Sequence, residues 1–215
     1  MSDGVTKKID LFFTNFKHQT YKKGEILIRA DDDPTGIFYL TKGIVKEYAI
    51  SKKGDELVLN LFNPVSFFPM SWAINGSHNT FFYEAVTDLE IWKAPGESVV
   101  AFVKENPDVL YDLLSRVYRG TDGMLNRMTY LMTGNAHSRI IVELIISAKR
   151  FGKKTTDSIE IEISEKDIAA QSGMTRETVS RELKILKDKG LVTFSRNSLK
   201  VIDLQMLEDE LMDGV

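Results

Sequence analysis

From Leu110 to Leu131, side chains recur in alternating steps of four and three: Leu110, Leu114, Val117, Thr121, Met124, Met128 and Leu131. That spacing is a heptad seam, and it predicts one helix of about 24 residues beginning near Asp108. A helix this long is hard for a small domain to cover by itself. The seam therefore favours pairing with a second copy of the chain over packing on its own domain. Gly120 and Gly123 interrupt the helix, each at a cost of about 1 kcal/mol relative to alanine. They read either as neutral accommodations of packing or as a soft segment in a paired helix. Thr133-Gly134-Asn135 closes the helix and reads as a hinge, with Gly134 expected in the left-handed cap conformation. A further helix follows, with Ile140, Ile141, Leu144 and Ile145 on its apolar face, and then a polar loop, RFGKKTTDS, at 150–158.

The seam divides two segments of different pattern. Residues 20–94 alternate short β-like runs (GEILIRA, GIFYLTKG, IVKEYAI, ELVLNLF, FFYEAV, LEIWKA) with turn signals such as Asp33-Pro34, Lys42-Gly43, Asn63-Pro64 and Asn75-Gly76. Short strands at near-regular spacing predict a β sandwich or roll. Beyond the seam, Ser164 with Asp167 three residues on resembles a capping box for the short helix EKDIAAQS, which stops at Gly173. Thr175 then caps a second helix, RETVSRELKILKDK, which stops at Gly190. Two short helices joined at a glycine turn make a helix-turn-helix. LVTF and LKVI around the turn SRNS add a hairpin, the wing. The predicted organisation is α+β, with a β-roll at 1–106, a dimerisation helix at 107–133 and a winged helix-turn-helix at 134–215.

The second of these helices carries the chemistry. Val179, Leu183 and Leu186 form a buried stripe at i, i+4 and i+7. Glu177, Ser180, Arg181 and Lys184 lie opposite, and Arg176 sits in the first turn. Arginine, glutamate and serine at an exposed helix N-terminus can read base edges in the major groove. The Thr175 and Thr178 hydroxyls, with Lys184, Arg196 and Lys200, suit phosphates. Over 164–200 there are eight basic and five acidic side chains, a local +3 in a chain of net charge −3. That balance alone would describe an ordinary solvated surface.

Composition narrows the remaining classes. No apolar run approaches the roughly 18–20 residues of a membrane span, and MSDGVTKKIDLFF lacks the apolar core of a signal peptide. The expected setting is the cytoplasm, away from membranes. The absence of cysteine excludes disulfides, thiol nucleophiles and iron–sulfur clusters. His18, His78 and His137 have no ligand-like spacing, so no metal site is expected. There is no nucleophile–base pair or glycine-rich phosphate loop, so an enzyme is not expected. The alternative to DNA binding is a small-molecule sensor whose C-terminal domain contacts protein.

The stretch DIAAQSGMTRETVSRELKILKDKGLV resembles the DNA-binding signature of the superfamily of the cyclic-AMP receptor protein and the fumarate–nitrate reduction regulator (CRP/FNR). The order of β-roll, long helix, hinge and winged helix-turn-helix matches as well. The resemblance implies a homodimeric transcription regulator that reads an inverted repeat in double-stranded DNA and works with RNA polymerase. It makes Arg176, Glu177 and Arg181 the base readers, with Arg181 donating to guanine and Glu177 accepting from cytosine. Ser180 matches the oxygen-sensor branch and Arg176 the cyclic-AMP branch, so TGTGA-like, TTGAT-like and hybrid half-sites all stay open.

The resemblance fails at the effector. Where the cyclic-AMP branch has Gly-Glu-Leu and then Arg-Ser, this chain has Phe68-Pro69-Met70 and then Asn79-Thr80. The glutamate for the ribose and the arginine for the cyclic phosphate are both missing, so cyclic AMP is not expected. Haem is not expected either, because His78 has no evident second axial ligand. What remains is an apolar cassette including Phe68, Met70, Trp72 and Phe82, which the notion of a pocket would complete with Ser71, Asn79, Thr80, Met124 and Met128. It reads either as a filled core or as a site for an apolar or aromatic small molecule.

Overall fold

The computed structural model describes residues 3–52, 54–195 and 197–213. They form two compact units that divide between Arg119 and Gly120. In the first, α1 (Asp3–Phe13) precedes β1 (Lys17–Tyr21), β2 (Ile26–Ile28), β3 (Ile37–Lys42), β4 (Val45–Ile50), β5 (Glu56–Phe62) and β6 (Ser66–Phe68). Then come α2 (Met70–Asn75), β7 (Phe82–Ala85), β8 (Leu89–Ala94) and α3 (Gly96–Glu105). Two antiparallel four-stranded sheets result, in the orders β1-β8-β3-β6 and β2-β7-β4-β5.

Strand β3 shows how the sequence fills both faces of its sheet. All of Ile37, Phe38, Tyr39 and Leu40 are buried, yet the period of two still holds. Ile37 and Tyr39 join Val5, Ile9 and Phe13 of α1 in one cluster, while Phe38 and Leu40 join Phe68, Tyr83 and Ile91 in another. Adjacent Phe67 and Phe68 on β6 divide in the same way. The sequence pattern did not mark β1, whose residues are mostly polar, or β6.

Helix α4 (Pro107–Thr133) has 27 residues and runs on from the first unit into the second. At its start Val109 is buried and Asp108 pairs with Lys8 at 2.7 Å. Asp112 accepts from Arg116, which also donates to the Val65 carbonyl.

The second unit adds α5 (Ala136–Phe151), β9 (Lys153–Lys154), β10 (Ile159–Ile161), α6 (Glu165–Ser172), α7 (Arg176–Asp188), β11 (Val192–Ser195), β12 (Ser198–Val201) and α8 (Leu204–Asp213). Its sheet runs β11-β12-β10-β9. Ile140, Ile141 and Leu144 of α5 pack with Ile168, Val179, Leu183, Leu186, Leu199 and Leu207 in one core. Two expectations need correction here. The stretch 150–158 is not wholly a loop, because α5 continues to Phe151 and β9 pairs with β10 to extend the wing sheet. Gly134 is not a left-handed cap, since its φ is not positive. Glycine is required there by close approach: an added Cβ would sit 2.6 Å from the Tyr130 carbonyl oxygen. Asn135 then caps α5 by accepting from the Ser138 amide at 2.9 Å.

Candidate nucleic-acid interface

Helix α6 begins with the full capping box. The Asp167 amide donates to the Ser164 hydroxyl at 3.2 Å, and the Ser164 amide donates to the Asp167 carboxylate at 2.9 Å. It ends at Gly173, where φ is +66°, a conformation glycine adopts without strain. Two residues on, Thr175 caps α7 by accepting from the Thr178 amide at 3.3 Å. Capping box, glycine turn and threonine cap thus fix the angle between the two helices within about a dozen residues.

Val179, Leu183 and Leu186 face the core of the unit, and this turns Arg176, Glu177, Ser180, Arg181 and Lys184 outward, all exposed. Neither guanidinium is locked: Arg176 reaches Glu165 only at 3.8 Å, and Arg181 reaches the Thr178 hydroxyl at 3.5 Å. Hydrogen bonds from its own amide and from Thr175 hold the Glu177 carboxyl below the usual carboxylate range. It is therefore ionised at neutral pH and offers acceptors only. The α7 N-terminus adds the positive end of a helix dipole. Together these groups form an exposed helix end that carries donors, acceptors and a positive dipole end, the kinds of group that read base edges and meet phosphates. Lys200 is exposed on β12, in register with Thr193 and Glu160. Arg196, expected at a phosphate, lies outside the described residues.

The opposite flank of α7 is tied down by residues that the sequence did not mark. His137 on α5 places Nδ1 2.9 Å from Glu182 of α7 and Nε2 2.9 Å from Glu210 of α8, and Lys189 also reaches Glu210, at 2.5 Å. A lone histidine gives no local signal for this, because its partners stand 45 and 73 residues away.

Comparison with known proteins agrees with this geometry. Family profiles match for the cyclic nucleotide-binding domain over residues 18–106 and the Crp-like helix-turn-helix domain over residues 138–210. A global nitrogen regulator from a Nostoc species is 29% identical over 191 residues, 85% of this chain and 84% of its own length. The cAMP-activated global transcriptional regulator CRP of Haemophilus influenzae is 27% identical over 186 residues, 86% and 83% of the two chains. The solved structure of CLP, the c-di-GMP responsive global regulator of Xanthomonas campestris, superposes with a TM-score of 0.80 over 92% of this chain and 99% of its own, at 19% identity. The chain belongs to the CRP/FNR family. It is a DNA-binding transcription regulator, built as an N-terminal cyclic-nucleotide-binding-type β domain, a long helix and a C-terminal helix-turn-helix.

In this CRP/FNR chain the seam residues Leu110, Leu114, Val117, Thr121, Met124 and Met128 are exposed on α4, and Leu131 is half-buried. A second column lies beside them that the seam reading omitted. Tyr111, Tyr118, Leu125 and Met132 are all exposed. They recur every seven residues, which was visible in the sequence.

Within the first unit, the residues of the effector cassette do not gather in one place. Phe68 is buried inside the β domain, its ring stacked on Phe62 at 4.6 Å and on Tyr83 at 5.4 Å. Met70 and Trp72 belong to the other cluster, with α1 and α3. Phe82 stacks on Tyr48 at 5.2 Å. The Asn79 amide group is buried and committed to backbone: it donates to the carbonyls of Arg29 at 2.8 Å and Phe81 at 3.0 Å. Ser71 and Thr80 are exposed, as are Met124 and Met128 on α4.

Proposed function

We propose that this CRP/FNR regulator works as a homodimer, paired along α4, that reads an inverted repeat in double-stranded DNA with the N-terminal turns of α7. Arg176, Glu177, Ser180 and Arg181 contact bases. Thr175, Thr178, Lys184, Arg196 and Lys200 hold phosphates. The observation that carries this reading is the pair of unlocked guanidiniums beside an ionised Glu177 on a capped, exposed helix end. Pairing along α4 is supported by the two exposed apolar columns on that helix.

Cyclic AMP is not the effector in this reading. At the family's nucleotide cassette, Phe68-Pro69-Met70 offers no carboxylate and Asn79-Thr80 no guanidinium, and an unpaired buried phosphate would be prohibitively costly. Iron–sulfur chemistry would have no cysteine, and haem would have His78 without an evident second axial ligand. The stacking around Phe68 favours a packed core, with an apolar or aromatic effector as the second possibility. The relatives differ in this respect too, one being cAMP-activated and another c-di-GMP responsive. The setting is the cytoplasm, the larger partner is RNA polymerase, and no enzymatic activity is assigned. No helix among the described residues is long and apolar enough to cross a membrane.

Salt dependence tests DNA contact against a protein-binding C-terminal domain. Affinity for duplex should fall steeply and log-linearly between 50 and 200 mM salt, by about a thousandfold if six or more phosphates are neutralised. A flat response would refute the reading.

A further inference from the structure

Arg127 lies in the last two turns of α4, and its guanidinium joins three helices. Nε donates to Glu143 of α5 at 2.5 Å, and Nη2 donates to the backbone carbonyl of Gln171 near the end of α6. Glu143 is only 4% exposed and Gln171 8%. Ser147, one turn beyond Glu143, donates to the Gln171 side-chain oxygen at 3.4 Å. The Gln171 carbonyl is among the last four of its helix, which have no intrahelical partner. A cation there also complements the negative end of the helix dipole. Two residues later comes the Gly173 turn that leads into α7. The carbonyl gripped by Arg127 therefore stands at the joint that aims the DNA-reading helix.

An apolar group would fill this space at less cost, because removing a guanidinium and a carboxylate from water is expensive. What the pair adds is direction. A planar fork engages two acceptors in a fixed geometry, whereas apolar contacts tolerate sliding. A further tie between α4 and the reading head is the short 134–135 connection, helped by Tyr130 packed on the core.

We propose that Arg127 is a positioning residue for DNA reading: it fixes the helix-turn-helix to the paired helix, and so sets the half-site spacing that the dimer accepts. The inference rests on the dimeric reading above. A role limited to stability would lower affinity for all spacings alike, so the spacing preference is the informative quantity.

The test uses the full chain and three proteins: wild type, the double variant Arg127→Met/Glu143→Leu, and Arg127→Lys. The double variant leaves no buried charge behind. Arg127→Lys keeps the charge beside Glu143 but lacks the second coplanar donor. Affinities are measured for duplexes carrying the inverted repeat at its selected spacing, at spacings one and two base pairs longer and shorter, and for a single half-site. Wild type should prefer the selected spacing by about tenfold or more. The double variant should remain a folded dimer with unchanged half-site preference, while its spacing preference falls below about threefold. Arg127→Lys should fall between. A folded, dimeric double variant with the wild-type spacing preference would overturn the proposal. If that variant does not fold, Arg127→Lys decides, and full retention of spacing preference overturns it. Wild type that binds the half-site and all spacings equally would remove the dimeric reading and this proposal with it. Loss of spacing preference only in the variants supports the proposal.

Discussion

Truncation of Leu114 to alanine should weaken the dimer without harming the monomer. Leu114 is 46% exposed in the single chain, in the middle of the exposed face of α4. Full burial of a leucine side chain contributes about 1.5–3 kcal/mol, so covering the exposed half contributes roughly 0.7–1.4 kcal/mol. A two-fold interface contains each residue twice. Leu114→Ala should therefore raise the dimer dissociation constant by roughly ten- to hundredfold, at 1.4 kcal/mol per tenfold. Alanine is the better helix former, so α4 itself is not weakened. Sedimentation velocity across a dilution series reads the constant directly, and duplex affinity at nanomolar protein should fall with it. A constant within threefold of wild type, from a protein that is dimeric, would refute pairing through this face.

Further outcomes follow from single residues. Gly123→Ala should stabilise α4 by about 1 kcal/mol, because the added Cβ meets nothing within 4 Å; a drop in the denaturation midpoint would contradict this. Thr175→Ala should cost about 1 kcal/mol through loss of the α7 cap, readable in urea denaturation, and should weaken duplex binding. Burial lifts the Glu143 carboxyl from 4.5 to about 7, against the pull of Arg127. Between those pH values the folded state keeps a proton that the unfolded chain has lost, so this contribution to stability falls as pH rises through the window. Glu143→Gln should remove that part of the slope, and an unchanged pH profile would count against it.

The helix-turn-helix was legible because its determinants are local. Ser164, Asp167, Gly173 and Thr175 each act on backbone within a few residues, and the Val179, Leu183, Leu186 stripe needs only the helical period. The alternating strands were legible for the same reason. Strand β1 was not, because KHQTY becomes a strand only by pairing with β8. Strand β6 hid behind adjacent Phe67 and Phe68, which break alternation because each face of the strand has its own core. Arg127, Glu143 and Gln171 lie 16 and 44 residues apart, and only folding brings them together. The capping role given to Gly134 failed because close packing also selects glycine, and a sequence cannot distinguish the two demands.

The central claim is that the exposed turns of α7 read DNA as part of a dimer. Selection from a random duplex library with ligand-free wild type and with Arg181→Ala, each at moderate salt and again with cell extract added, tests it most directly. Wild type should enrich an inverted repeat with half-sites about one helical turn apart. Arg181→Ala should enrich the same spacing but lose preference at one base pair in each half-site, by roughly 1–3 kcal/mol. No enrichment by folded wild type in either condition, or the same motif from both proteins, would contradict the account.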